Sequence, residues 1–164
     1  MTGVQTCALP ISTWDGRAIW IQYYTKEWSQ YGNAQFAIRH GLTIREDDLH
    51  ELGRLHQWTA IDSDFHMVNQ LLKYVKFGFG FATDEACYDI RDGLLTREEA
   101  FKLIKEYDGL CGEKYISKFC DWIGIGIDEF WSVVDSFRDK KLFENVDGKW
   151  KDRKSTRLNS SHRL

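Results

Sequence analysis

Residues 76–99 read KFGFGFATDEACYDIRDGLLTREE, and the rest of the chain is arranged around this stretch. Gly78 and Gly80 lie two residues apart between phenylalanines, at the end of an apolar helical pattern. Glycine permits backbone conformations and close approaches that other residues do not. Thr83 and Asp84 offer side-chain oxygens that can cap the first N–H groups of a following helix. The pattern predicts a structured loop between two helices, lying against a ligand or another segment.

Apolar residues at helical spacing predict further helices on both sides of this loop. Gly93 and Gly109 end two of them, and Thr96 with Glu99 forms a capping box. Asp147-Gly148 marks a turn that permits a small hairpin. The predicted helices cover residues 65–76, 84–91, 96–107, 113–123 and 128–138. We therefore predict a mainly α fold, an array of short antiparallel helices.

The chain before residue 60 gives weaker signals. Asp15 is placed to cap a helix that runs to about Trp28. Residues 31–39 alternate apolar and polar side chains in part, which permits a short strand. A capping box at Thr43-x-x-Glu46 predicts a polar helix to about residue 57.

The glycine stretch resembles the C-terminal signature of bacterial N-acetyl sugar amidotransferases, which belong to the PP-loop ATP pyrophosphatases and act in surface-polysaccharide biosynthesis. The matching pieces are KFGFGFATD at residues 76–84, Ile90-Arg91, GLLTREEA at residues 93–100, and YDG at residues 107–109. The resemblance continues through residues 122–138 and covers about residues 65–150. It departs at Phe81, where the family often has arginine.

The resemblance implies an enzyme that converts a sugar acetamido group to acetamidino. Mg-dependent ATP activates the acetamido oxygen as an adenylate and releases pyrophosphate. Ammonia from a partner glutaminase then displaces AMP, in the cytoplasm, on a free or nucleotide-activated N-acetyl sugar. The S-G-G-x-D-S phosphate loop and the paired cysteines of the family are absent from this sequence. The chain is therefore expected to be the C-terminal helical part of a larger α/β enzyme, unable to cleave ATP alone and with its catalytic residues elsewhere.

The same resemblance implies contacts with the sugar or nucleotide from six residues. They are Lys76, Gly78, Gly80, Thr83, Asp84 and Arg91. Lys76 would bind a phosphate, the glycines would let the backbone approach it, and the other side chains would complete the polar contacts. A purely structural alternative has Asp84 capping its helix and Arg91 paired with a neighbouring acid. Two further functions stay open: a helical module that docks the glutaminase, and an unrelated acidic interaction domain.

Both ends of the chain have a foreign sequence pattern. Met1–Ile11 and Asp152–His162 can be read as reverse-complementary codons over eleven positions, which resembles a sequencing adapter on both strands of an insert. We therefore expect residues 1–11 and 152–164 to be non-native and unpacked. The remaining chain divides into residues 12–60, the end of a catalytic or substrate region, and residues 61–151, a C-terminal helical domain.

Composition excludes several classes of protein. Without the foreign ends, whose tail carries four basic residues and one acid, the net charge is −6 rather than −3, and no basic patch suggests nucleic acid. No run of 18 apolar residues predicts a membrane span. The spacing of His50 and His56 does not place them on one helical face, so we expect no metal pair. Three cysteines without a C-x-x-C motif predict free thiols; they are Cys87, Cys111 and Cys120.

Overall fold

The computed structural model describes Tyr24 and residues 28–153. Within this range the chain is mainly helical and ends in one antiparallel hairpin, which confirms the predicted fold class. Its helices are α1 (Gln30–Arg39), α2 (Leu49–Leu52), α3 (Phe65–Phe77), α4 (Phe81–Arg91), α5 (Arg97–Tyr107), α6 (Glu113–Ile123) and α7 (Ile127–Ser136). Its strands are β1 (Phe143–Val146) and β2 (Lys149–Asp152). The predicted turn at Asp147-Gly148 joins them, and Val146 pairs with Lys149.

Helix α3 lies at the centre of the core. It packs against α6 and α7, which also pack against each other, while α4 packs against α5. Of the apolar stripe predicted on α3, Leu72 is 36% exposed and the other members are buried. Each fully buried side chain of this size contributes about 1.5–3 kcal/mol relative to an exposed one. The core cluster consists of Leu52, Met67, Val68, Leu71, Val75, Tyr115, Ile116, Cys120, Phe130 and Val134.

The helix ends follow the local sequence closely. The Thr96 hydroxyl accepts the Glu99 backbone N–H and the Glu99 carboxylate accepts the Thr96 N–H, so the predicted capping box is confirmed. Gly93 has φ 73°, as predicted for the residue that ends α4. Helix α4 begins at Phe81 rather than Asp84, with Gly80 at the N-cap position. The reading of Asp84 as a helix cap is therefore wrong.

Two predictions before α3 are wrong as well. Residues 31–39 form part of α1 rather than a strand, because the Ser29 hydroxyl caps the helix by accepting the Gly32 N–H at 2.8 Å. The helix predicted from Thr43 is reduced to the four residues of α2. Long-range contacts hold the preceding segment extended, since the Arg45 N–H donates to the Gln57 carbonyl at 3.0 Å. The helix predicted from Asp15 lies outside the described residues, except for its last part at Tyr24 and Trp28.

The C-terminal boundary also differs from expectation. Asp152 and Arg153 continue the hairpin, because Asp152 pairs with Phe143 and the Arg153 N–H donates to the Leu142 carbonyl at 2.7 Å, although the Arg153 side chain is exposed. Ladder hydrogen bonds are made by the backbone, so a strand can extend into a sequence of any origin. Residues 1–11 and 154–164 lie outside the described residues.

Candidate functional site

The Asp108 carboxylate, directly after α5, binds the loop of residues 78–80 between α3 and α4, here called the glycine loop. Its Oδ2 accepts the Gly80 backbone N–H at 2.8 Å and the Thr83 hydroxyl at 2.6 Å, and its Oδ1 accepts the Thr83 N–H at 3.3 Å. These donors belong to the first turn of α4, where free N–H groups favour a negative charge. A carboxylate from another helix therefore performs the capping role that the sequence suggested for Thr83 and Asp84.

The two glycines of the loop are needed for different reasons. Gly78 has φ 72°, a left-handed conformation that ends α3 and that other residues adopt only with strain. Gly80 has φ −113°, an ordinary extended conformation. A Cβ atom at Gly80 would lie 2.7 Å from Asp108 Oδ1, so this glycine is required by the close approach of the carboxylate.

The remaining predicted site residues are divided between two sides of the loop. The Asp84 carboxylate pairs with Lys73 Nζ, which also lies 4.6 Å from the Phe79 ring centroid. The Arg91 guanidinium lies 5.5 Å from the Tyr88 ring centroid, and it forms no ion pair within the described part of the chain. Lys76 is exposed and borders a groove on the α7 side. Asp84 and Arg91 thus line one cleft, and Lys76 does not join them.

That cleft has a volume of about 690 Å³ and lies between α4 and the segment before α3. Pockets for small molecules have volumes of this order. Its lining includes both aromatic and charged side chains, which suits a ring-shaped polar ligand. The lining residues include Arg54, Thr59, Phe81, Glu85, Tyr88 and Arg91.

Arg54 is the least expected residue of the cleft, because its guanidinium is almost fully buried. Its side chain is 2% exposed, and its Nε lies 3.7 Å from Glu85 Oε1. Neither Nε nor Nη1 has a hydrogen-bond partner among the described residues. Burial lowers the pKa of Arg54, while the Glu85 charge opposes this shift. Arginine nevertheless stays protonated at neutral pH, so a positive charge lies in the cleft wall.

Glu85 does not satisfy these donors, because its Oε1 lies 3.7 Å from Arg54 Nε, beyond hydrogen-bond distance. Oε2 accepts the Leu55 backbone N–H at 2.8 Å, and Oε1 accepts the Thr59 hydroxyl at 2.6 Å. The guanidinium instead lies 4.5 Å from the Phe81 ring centroid, a cation–π arrangement. Phe81 is the position at which the sequence departs from the resembled family. Its ring packs against the Arg54 guanidinium.

Sequence reasoning missed both Arg54 and Asp108. Asp108 belongs to the Tyr107-Asp108-Gly109 motif, but its partners lie 25 to 28 residues away, so no local pattern predicts them. Arg54 was part of a predicted polar helix, and arginine is almost never fully buried. The glycine before it, with φ 60°, was the available signal of an unusual backbone at this point.

A family model described as the C-terminal domain of "LPS biosynthesis protein WbpG-like" proteins matches residues 52–157. The chain belongs to this family. Its description connects the chain with lipopolysaccharide biosynthesis, and the match includes Arg54, the glycine loop and Asp108. No curated protein matches the chain.

Residues 28–153 lack two further features. No helix of this range has the length and apolar character to cross a membrane. No group of three or more histidine, cysteine or acidic side chains is placed there to hold a metal ion.

Proposed function

We propose that this chain is the C-terminal part of an ATP-dependent N-acetyl sugar amidotransferase in lipopolysaccharide or exopolysaccharide sugar biosynthesis. The observation that carries the proposal is the family match over residues 52–157, together with the signature at residues 76–84. In this function a sugar acetamido group becomes acetamidino, with ammonia that a cytoplasmic glutaminase subunit releases from glutamine.

The cleft receives the sugar in this proposal. Its aromatic and charged walls offer stacking and hydrogen bonds to a sugar ring, with Asp84 and Arg91 as polar contacts. Gly78 and Gly80 hold the loop against α5 and fix the start of α4, which carries the cleft wall. Lys76 would contact a ligand or domain on the α7 side.

ATP cleavage belongs to another part of the enzyme in this proposal. Release of pyrophosphate needs backbone N–H groups and a helix N-terminus around the departing phosphates. This sequence has no S-G-G-x-D-S loop, and Asp108 occupies the start of α4. The chain would contribute substrate binding and positioning, not the phosphate chemistry.

The test compares this chain with the parent enzyme, using ATP, an ammonium salt in place of the glutaminase, and a nucleotide-linked N-acetyl sugar. The parent enzyme should release pyrophosphate, and mass spectrometry should show the acetamido oxygen replaced by NH. The isolated chain should release no pyrophosphate above background. Pyrophosphate release by the isolated chain, or a parent enzyme that forms no amidine, would contradict the proposal.

Loop variants of the parent enzyme test the role of this chain. Gly80→Ala should reduce amidine formation by more than it reduces the amount of folded enzyme, because the new Cβ displaces Asp108 and with it the start of α4. Gly126→Ala is the matched control, since Gly126 is also an extended N-cap glycine but has open space around it. Equal effects of the two substitutions would make the loop a simple connector.

One observation favours a second function, the docking of a protein partner. An apolar groove of about 270 Å³ lies between α3 and α7, with Phe137 73% exposed and Val133 49% exposed beside it. Exposed apolar grooves of this kind are typical of interaction surfaces. If the chain is a docking module for the glutaminase, Phe137→Ser should abolish their co-migration in size-exclusion chromatography while amidine formation from ammonium salts stays unchanged.

A further inference from the structure

The polar groups of the glycine loop and those of the cleft differ in whether they have partners. The backbone N–H groups of Gly80 and Thr83 already donate to Asp108. The Nε and Nη1 donors of Arg54 have no hydrogen-bond partner in the described part of the chain, although Nε lies 3.7 Å from Glu85 Oε1. A buried donor without an acceptor costs about 1–3 kcal/mol, and more when it is charged. Native proteins keep such groups rarely and usually for a reason.

We propose that Arg54 anchors a phosphate group in this cleft, with Arg91 as a second cation nearer the entrance. A guanidinium presents its N–H groups in a planar fork that matches phosphate oxygens. Arg91 is exposed on the same cleft wall, so it can reach an anion that enters from solvent. The choice of a phosphorylated ligand rests on the proposed function, in which ATP and the nucleotide-activated sugar both carry phosphates.

Three acidic side chains of the described residues line the cleft, and each would repel a phosphate; they are Asp62, Asp84 and Glu85. Their surroundings weaken this repulsion. Glu85 accepts hydrogen bonds on both oxygens and lies next to Arg54. Asp84 pairs with Lys73, which brings a further positive charge to the edge of the cleft. Asp62, 75% exposed, lies 3.5 Å from His66 Nε2, so solvent screens its charge.

The aromatic residues of the cleft fit the rest of such a ligand. Phe81 lies beneath the Arg54 guanidinium, and Tyr88 lies beneath that of Arg91. Contacts between a guanidinium and an aromatic ring restrict the arginine side chain, so less freedom is lost when a phosphate binds. A sugar or base attached to the phosphate would meet the exposed part of the Tyr88 ring. The structure therefore provides two oriented cations and an aromatic surface within one cleft.

Titration of the ¹⁵N-labelled chain tests the proposal, with separate arms for inorganic pyrophosphate, UDP-N-acetylglucosamine and N-acetylglucosamine. The amides of residues 54–59 and 85–91 should shift with a phosphate-bearing probe. Arg54→Lys and Arg91→Gln should each weaken binding about tenfold or more, the loss expected for a charged hydrogen bond. Arg97→Gln is the matched control, because Arg97 also lies 5.5 Å from an aromatic ring centroid but does not line the cleft.

The three titrations identify the source of the phosphate, and some of their outcomes would contradict the proposal. Binding of pyrophosphate alone indicates the departing group of ATP, and binding of UDP-N-acetylglucosamine alone indicates the sugar nucleotide; both support an anion site. The proposal is overturned if no phosphate-bearing probe binds at millimolar concentration, or if N-acetylglucosamine binds as tightly as its nucleotide form. Binding that Arg91→Gln leaves unchanged would also overturn it, and this exposed substitution keeps the test valid if Arg54→Lys fails to fold.

This experiment is independent of the activity assay. If the parent enzyme makes amidine but the anion probes do not bind here, the phosphate site is wrong and the proposed function stands. If the probes bind through Arg54 and Arg91 but no amidine forms, the site stands and the proposed function is wrong.

Discussion

Helix α4 borders both the glycine loop and the cleft. The polar donors at the loop have hydrogen-bond partners, whereas two buried donors at the cleft have none within the described residues. At the loop, one carboxylate accepts all three donors that reach it from Gly80 and Thr83. At the cleft, a buried guanidinium lies next to the Glu85 carboxylate but beyond hydrogen-bond distance of it. The donors of the loop are thus satisfied without a ligand, whereas the Nε and Nη1 donors of Arg54 are not.

This difference separates residues that build the site from residues that bind at it. A fully satisfied polar network rigidifies a structure, and a partly satisfied one carries a cost that a ligand can remove. Asp108, Gly80 and Thr83 therefore position α4, and Arg54 is left to contact a ligand. A binding site works best when its supporting residues are held by contacts of their own, and the Asp108 network supplies that support.

The substitution with the largest expected effect is Gly53→Ala, because Gly53 joins the two regions. Its φ is 60°, and a Cβ there would lie 2.0 Å from the carbonyl oxygen of Leu110, in the segment that follows Asp108. Strain and overpacking together should cost about 3 kcal/mol or more. Gly124→Ala, at φ 76° with open space, should cost only about 1 kcal/mol. Urea unfolding measures both, and equal losses would show that the two regions are not coupled through Gly53.

The next largest effect is expected for Asp108→Ala, which removes the acceptor of three hydrogen bonds. Loss of bonds to a charged group should lower the free energy of unfolding by about 2–3 kcal/mol. Hydrogen exchange should become faster at the amides of Gly80 and Thr83 and stay slow in α6. Asp121→Ala, an exposed aspartate of α6, is the control and should have little effect. An Asp108 variant as stable as the Asp121 variant would mean that the loop is not held by this carboxylate.

A smaller effect is expected when the buried ion pair of the cleft is replaced as a whole, in the double variant Arg54→Met/Glu85→Gln, although both side chains are more deeply buried than Asp108. The double variant removes both charges, and the glutamine carbonyl can still accept the Leu55 N–H. Replacement of a buried ion pair by uncharged side chains of similar volume is often neutral or stabilising, whereas removal of one partner alone leaves a costly buried charge. The free energy of unfolding should change by less than about 1 kcal/mol in the absence of ligand. A loss as large as that of Asp108→Ala would show that the pair is structural and would remove the distinction between the two regions.

The sequence predicted the elements whose signals are local and missed the contacts between distant segments. The capping box at Thr96 and Glu99 and the glycine at the end of α4 were predictable because each acts within one helical turn. The start of α4 was placed three residues late, since Thr83 has the chemistry of a cap but its hydroxyl donates to Asp108 instead. The helix from Thr43 failed because Arg45 makes long-range contacts that a local pattern does not contain.

The candidate site was predictable to the same limited extent. The resemblance drew attention to residues 76–91, and the structure places Asp84 and Arg91 on one cleft while Lys76 lies toward α7. A glycine precedes Arg54, but no local pattern predicts that this arginine is buried, because its burial depends on helix α4 packing over a segment about 30 residues away. Burial of a charge is a property of tertiary packing, and so is the absence of an acceptor.

The last prediction compares the reactivity of two thiols, one at the cleft and one near the glycine loop, and involves no change in stability. Cys87 is exposed on the cleft, and Cys111 lies half-buried just after the Asp108 segment. Burial raises the pKa of Cys111 to about 12. Because the thiolate is the reactive form, only roughly one Cys111 in ten thousand is reactive at pH 8, and this fraction rises tenfold with each pH unit up to its pKa.

In a Cys7→Ser background, iodoacetamide at pH 8 should therefore alkylate Cys87 well before Cys111, as peptide mass mapping would show. Burial raises the pKa of Cys120 as well, and this thiol is 1% exposed, so it should stay unlabelled. A phosphate-bearing probe should slow the labelling of Cys87 alone, because Cys87 is the one of the three described thiols that lines the cleft. Equal labelling of Cys87 and Cys111 at pH 8 would mean that the segment after Asp108 opens as readily as the cleft, which contradicts the rigid support inferred for it.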